Sequence, residues 1–167
     1  MADEERDRER DETTDGSSGE RPPVEDPVAV VHALYEAISF EPDGEPDWDL
    51  ARSLFLPGAR LRFPHMPGSD ELYDRDVDGW LEDFRQGMEE VQDRGFAEEE
   101  IGREERVFRD VAHVWSAYAS RFADQEQPFV RGLNSFQLLR WEGGWKLSSV
   151  VWDVETEDVP LPEGLGN

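Results

Sequence analysis

Few residues in this chain pair a reactive type with a setting that could use it. Asp153 sits near the end of the last strand-like run, WKLSSVVWDVE, where strict alternation groups it with Trp145, Leu147 and Val151. An aspartate facing that apolar set would have its pKa raised by desolvation, which suits proton abstraction near neutral pH. The plainer reading puts Asp153 at the frayed end of the strand, in solvent. Tyr118 and Tyr35 are phenolic donors able to polarise a carbonyl. Asn134 with Ser116 could make a neutral hydrogen-bonding pair, or Asn134 could be a buried amide serving the sheet. The three histidines are His32, His65 and His113. His65, in the loop FPHMPG, is placed to sit at a pocket rim. His32 borders an apolar helix stripe, and His113 lies between Val111 and Trp115. No two of them have local ligand spacing, so no metal site is expected.

The missing residues narrow the chemistry further. Cys is absent, which removes disulfides, thiolate catalysis and thiolate metal sites. No glycine-rich phosphate loop, nucleophile elbow or Ser–His–Asp pattern is present, so nucleotide binding and acyl-enzyme chemistry find no support. With 41 acidic and 17 basic residues the net charge is -24, and Lys146 is the single lysine. Nucleic-acid binding needs clustered cations and is disfavoured. Self-repulsion at this charge would destabilise a compact domain, but molar salt shortens the Debye length to about 3 Å and screens it. The composition therefore reads as adaptation to a salt-rich cytoplasm, with a basic partner as the rival explanation. No apolar run approaches the roughly 20 residues of a membrane span. A cytoplasmic location, with no membrane association, is expected.

The elements that would position these residues are legible along the chain. Residues 1–23 are charged and almost without large apolar side chains, which predicts a disordered acidic tail. Residues 24–160 form the domain, and residues 161–167 a C-terminal tail. Asp26-Pro27 caps a first helix running to about Phe40, with Val28, Val31, Leu34, Tyr35 and Ile38 at helical spacing. Asp47 can cap a second helix through Phe55, followed by a short strand from Ala59 to Phe63. His65 to Tyr73 reads as irregular. A third helix is predicted over 76–94, with Trp80, Leu81 and Phe84 on its inner stripe. Four strands then follow: Phe96 to Phe108, Val111 to Phe122, Phe129 to Trp141 and Trp145 to Glu155. Helices before a meander imply an α+β domain: three N-terminal helices packed on a curved, mainly antiparallel sheet.

A two-residue turn at Glu142-Gly143 would pair Leu138 with Leu147 and Phe136 with Ser149. Phe136, Leu138, Trp145, Leu147 and Val151 then face the helices, and Ser116, Tyr118 and Asn134 point the same way. On that register Tyr118 lies over Gly132, and Ser116 beside Asn134. The opposite face would carry His113, Trp115, Arg131, Leu133, Gln137, Val150 and Trp152. Tryptophan and arginine amid polar groups suit a protein interface, so a homodimer through the sheet is expected.

The order of these elements resembles the NTF2-like superfamily, and within it the SnoaL-like group. The segments that carry the likeness are ALYEAIS, DWDLARSLFLPGARL, DVAHVWSAYASR and RGLNSFQLLRWEGGWKLSSVVWDVE, within residues 26–160. The resemblance implies a cone-shaped fold with a ligand site at its mouth. It also implies an Asp or a His–Asp pair as base and a Tyr or Asp donor against a carbonyl. On this chain those roles fall to Asp153 and Tyr118, with Tyr35, His65, Trp80, Phe84, Ser116, Asn134 and Phe136 around a small apolar ligand. Cofactor-free isomerase, cyclase or dehydratase chemistry is the reading. The alternative is a non-catalytic dimerisation or ligand-sensing module with a filled cone. Fold alone does not choose between them.

Overall fold

A computed structural model describes residues 24–64 and 70–166. The acidic segment 1–23 and His65 with its loop lie outside the described residues. Helix α1 spans Pro27–Ile38. Asp26 caps it, its side chain accepting from the Val28 amide at 2.9 Å, and Pro27 occupies the first turn, where no amide hydrogen is needed. Eight of its 12 residues are buried, so α1 is a core helix rather than a surface one. Helix α2, Trp48–Ser53, is capped by Asp47, which accepts from the Leu50 amide at 2.9 Å. Helix α3, Val77–Glu89, is capped by Asp76, which accepts from the Gly79 amide at 2.8 Å. It ends short of the predicted Arg94. A 3-10 turn at Gln92–Arg94 and Gly95 (φ 66°) complete the exit instead. No helix among the described residues is long and apolar enough to cross a membrane.

Six strands form one curved, mixed sheet: β1 Phe55–Phe63, β2 Tyr73–Asp76, β3 Phe96–Phe108, β4 Val111–Phe122, β5 Val130–Trp141 and β6 Gly144–Val154. Their spatial order is β2-β1-β6-β5-β4-β3. Strand β1 runs parallel to β6, and every other pairing is antiparallel. This is an α+β fold with helices covering one sheet face. Strand β1 starts earlier than expected, and β2 forms between the stretch expected to be irregular, which ended at Tyr73, and the expected helix start at Asp76. Pairing to β1 recruits β2, a tertiary contact with no local signal.

The β5–β6 hairpin closes through Glu142 (φ 50°) and Gly143 (φ 84°), the two-residue turn whose twist suits antiparallel strands. Ser116 pairs with Asn134, Tyr118 with Gly132, and Leu138 with Leu147, all as anticipated. The expected Phe136–Ser149 pair does not form. The register shifts between Gln137 and Leu138, so Gln137 pairs with Ser149 and Phe136 with Val150. Ser148 is the extra residue, a β-bulge, and its hydroxyl donates to the Gln137 carbonyl at 3.0 Å.

Every side chain beyond Ser148 is therefore turned to the face opposite that of strict alternation. Val150 is buried in the core, and Trp152 stacks on Phe63 with centroids 5.5 Å apart. Both were expected on the outer face. Val151 and Asp153, expected inside, are exposed on the outer face.

The core joins α1 to the sheet through Val30, Val31, Leu34, Val114, Phe136, Leu138, Trp145 and Leu147. Each such side chain contributes about 1.5–3 kcal/mol by burial. A second apolar contact lies on the other side of the sheet. The chain after β6 folds back, buries Leu165, and brings its backbone against Gly102, where a Cβ would lie 2.6 Å from the Leu165 carbonyl oxygen.

Gly132 sets the closest approach inside the cone. A Cβ there would lie 2.5 Å from the Tyr118 hydroxyl and 2.5 Å from the Asp153 carbonyl oxygen. Gly132→Ala should therefore destabilise the fold by about 1–3 kcal/mol through overpacking. Urea unfolding measures this; an unchanged midpoint would mean that Tyr118 has room to move aside.

Candidate functional site

The cone encloses a cavity of about 150 Å³. Helix α1 contributes Leu34, Tyr35 and Ile38, and α3 contributes Trp80 and Phe84. The sheet supplies Leu61, Glu98, Tyr118, Asn134, Phe136, Val150 and Trp152. Each strand residue reaches the cavity by alternation. Glu98 and Ser120 are direct partners across β3 and β4, as are Ser116 and Asn134 across β4 and β5. The aromatic rings brace one another: Tyr35 meets Phe136 edge-on at 6.2 Å, and Trp80 lies 5.8 Å from Phe84.

A hydrogen-bonded chain runs from the cavity to the surface, and its direction follows from donor counting. The Ser116 hydroxyl donates to Glu100 Oε2 at 2.7 Å. Having spent its single hydrogen, Ser116 must accept from the Tyr35 hydroxyl, 2.8 Å away. Tyr35 in turn accepts from Asn134 Nδ2 at 3.1 Å. The outer end is anchored by Glu100, whose Oε1 lies 3.0 Å from His32 Nε2 and 2.6 Å from an Arg103 guanidinium nitrogen. Desolvation alone would raise the Glu100 pKa. The bonds from His32, Ser116 and Arg103 outweigh it and hold the carboxyl below its ordinary value. Burial is the main reason that the Tyr35 phenol is pushed well up.

Glu98, two residues away, has a different environment. By surface area the residue is half-buried, yet the protein packed around its carboxyl is dense. Desolvation pushes its pKa up to about 7, against hydrogen bonds from Ser120 and Asn134 that pull it down. The Ser120 hydroxyl donates to Oε2 at 2.7 Å. No arginine, lysine or histidine among the described residues pairs with it. Two neighbouring carboxyls with pKa values driven apart are the usual mark of an acid–base assignment. Tyr118 is buried, and its hydroxyl has no hydrogen-bond partner among the described residues. Burial raises its pKa, and the nearby charges of Glu98 and Asp153 add to the effect. It stays a neutral donor with its hydrogen uncommitted.

Six of the residues expected around a ligand therefore converge: Tyr35, Trp80, Phe84, Tyr118, Asn134 and Phe136. Ser116 stands behind Tyr35 rather than on the cavity wall. Asp153 does not reach it. The bulge turns this aspartate to the outer face, where its Oδ1 accepts from the Val154 amide at 2.8 Å. Val150 and Trp152 line the cavity instead of the expected interface. Arg131 is engaged within the chain: it pairs with Glu155 at 3.1 Å and donates to the Gly166 carbonyl. His113 Nε2 lies 3.0 Å from the Ser135 hydroxyl.

The residue that sequence reasoning missed is Glu98. A signal existed, since Phe96 and Glu98 share a phase beside the inward residues of β4. It was hidden in AEEEIGREER, where many acids compete and a second bulge, at Ile101, breaks the alternation.

No protein-family model matches the sequence, and no curated protein matches it. Solved structures do. A protein of unknown function with a cystatin-like fold from Nostoc punctiforme superimposes with a TM-score of 0.61 at 13% identity, covering 81% of this chain and 92% of its own. An NTF2-like protein of unknown function from Pseudomonas putida gives 0.60 at 10% identity, covering 79% and 87%. Another from Shewanella baltica gives 0.51 at 15% identity, covering 78% and 91%. At such identities the likeness is one of fold.

The Glu98 carboxyl gives a stability test. A carboxyl raised from 4.5 to about 7 stabilises the fold fully below 4.5. That contribution is lost as pH rises through the folded value. Glu98→Gln should thus stabilise the protein by about 1–3 kcal/mol at pH 8 and change little at pH 5. Denaturant titrations at both pH values check the sign, and destabilisation at pH 8 would mean that the fold needs the charge.

Proposed function

We propose that this chain, which has the NTF2-like fold, binds a small, largely apolar molecule in its cone and exchanges a proton with it through Glu98. One observation carries the reading: a carboxyl poised near neutrality shares an aromatic cavity with a tyrosine hydroxyl that has no hydrogen-bond partner among the described residues. Glu98 in its ionised form takes a proton from the ligand. Tyr118 donates to the oxygen on which charge develops, and Asn134 orients both Glu98 and Tyr35. Isomerase, cyclase and dehydratase reactions all use such a step without a cofactor. The role assigned in sequence to Asp153 thus passes to Glu98.

The size of the cavity favours a second reading. About 150 Å³ is small for an enzyme pocket, because Phe136, Trp145 and Leu147 fill much of the cone. A ligand-sensing module would need no more. Proton exchange in deuterated water separates the two. With one-ring ketones as probes, the wild type should accelerate exchange of the α-hydrogens. Glu98→Gln should lose about 10²–10⁴-fold of that acceleration, and Tyr118→Phe a smaller part. Saturable binding without exchange would establish the sensing module.

We further propose that a second copy docks on the outer sheet face, and that the acid excess suits the assembly to molar salt. Trp115 and Val151 flank Ser135 on one row of that face, 37% and 43% exposed. His113, Leu133 and Gln137 lie around them, and Arg131 lies toward the C-terminal segment. Trp115→Glu should weaken the dimer at least about 10-fold. Light scattering in high salt reads this, and a wild type that is monomeric at micromolar concentration would end the proposal.

A further inference from the structure

We propose that the cone is a site for a compact organic cation: an ammonium of about one ring, held by Glu98 against an aromatic wall. The inference rests on reading the cone as a ligand site, and is independent of proton transfer by Glu98.

The lining carries the argument. Tyr35, Trp80, Phe84, Tyr118, Phe136 and Trp152 surround the cavity. The faces of such rings attract a cation within about 6 Å, most strongly once it is desolvated. Among the described residues, Glu98 is the one carboxyl on the cavity lining, and no Lys, Arg or His joins it there. Buried carboxylates are normally matched by a cation, because an unmatched one forfeits its hydration. Glu100 obeys that rule through His32 and Arg103. Glu98 has hydroxyl and amide donors, and no cation among the described residues. An ammonium on the ligand supplies the missing partner.

Size and field agree with this. A cavity of about 150 Å³ accepts a molecule about the size of benzene, which excludes nucleotides and long acyl chains. At low ionic strength the net charge of -24 draws cations toward the protein and repels anions. A carboxylate or phosphate ligand would meet Glu98 with no basic side chain among the described lining residues to receive it. Held against an ammonium, Glu98 stays ionised. With an uncharged ligand it is free to take a proton, so the two roles call for different ligands and separate in experiment.

Calorimetric titration of the full chain at pH 8, in one fixed salt, is the test. The probes are cyclohexylammonium, cyclohexanol and cyclohexanecarboxylate, which share a ring and differ in charge. The ammonium should bind at least about 10-fold more tightly than the alcohol, and the carboxylate should not bind measurably. Glu98→Gln keeps the side-chain shape and should bring the ammonium down to the affinity of the alcohol. Equal binding of ammonium and alcohol to the wild type would overturn the cation inference alone. Failure of all three to bind would overturn the ligand-site reading with it. An ammonium preference that survives in Glu98→Gln would belong to the acidic surface, and would also overturn the proposal. Should that variant not fold, Trp80→Leu decides. A loss of about 5-fold for the ammonium and less for the alcohol supports an aromatic cation site, and equal losses overturn it.

Discussion

One extra residue in the last strand decides what each face of the sheet does. Ser148 bulges out of the β5–β6 ladder, and the strand beyond it is rotated by one side chain. Without that bulge Trp152 and Val150 would leave the cavity, and Asp153 would enter it. With it, Trp152 stacks between the cone and Phe63 of β1, and Tyr73 of β2 packs edge-on against it. The same rotation moves Val151 outward, onto the row where Ser135 separates it from Trp115. The cavity wall and the outer surface are thus set together, because side chains on a strand have only two directions to choose from.

The electrostatics of the cone follow from a similarly local cause. Glu98 and Glu100 lie on one strand, in one phase, two residues apart. Helix α1 lies over Glu100 and brings His32 to it, while Arg103 returns from further along β3. Glu98 receives only neutral donors from β4 and β5. One acid is therefore held ionised beneath the exposed His32 and Arg103, and the other is poised near neutrality in the cavity. The many exposed pairs, such as Arg52–Asp78 and Arg75–Asp83, contribute little to stability individually. Among the described residues, Glu98 is the one carboxyl that lines the aromatic cavity.

Much of this was legible along the chain. Asp26 and Asp47 mark two helix starts because a capping carboxylate is a local signal, and apolar spacing marks the third from Asp76. The Glu142-Gly143 turn marks the hairpin and so the pairing of Leu138 with Leu147. From that pairing came the inward placement of Phe136 and Asn134, while Tyr118 over Gly132 rested on a separate assignment of the β4 face. Strand β2, the parallel β1–β6 pairing and the bulge were not legible. Each arises from a contact between segments far apart in sequence. The misplacement of Asp153 is a direct consequence, since an alternation argument carries its phase through every residue until something resets it.

The amino-acid sequence by itself determined the element types, the helix caps, the hairpin, the aromatic character of the core and the acid excess. These depend on residue chemistry within a few positions or on composition alone. Only the tertiary structure decided that Glu98, and not Asp153, is the carboxyl of the cone. In AEEEIGREER the glutamates are equivalent as local signals. They become different when β3 docks beside β4, where Ser120 and Asn134 meet one of them and His32 meets another. Desolvation depends on every segment that closes around a group, and that sum exists only once the chain has folded.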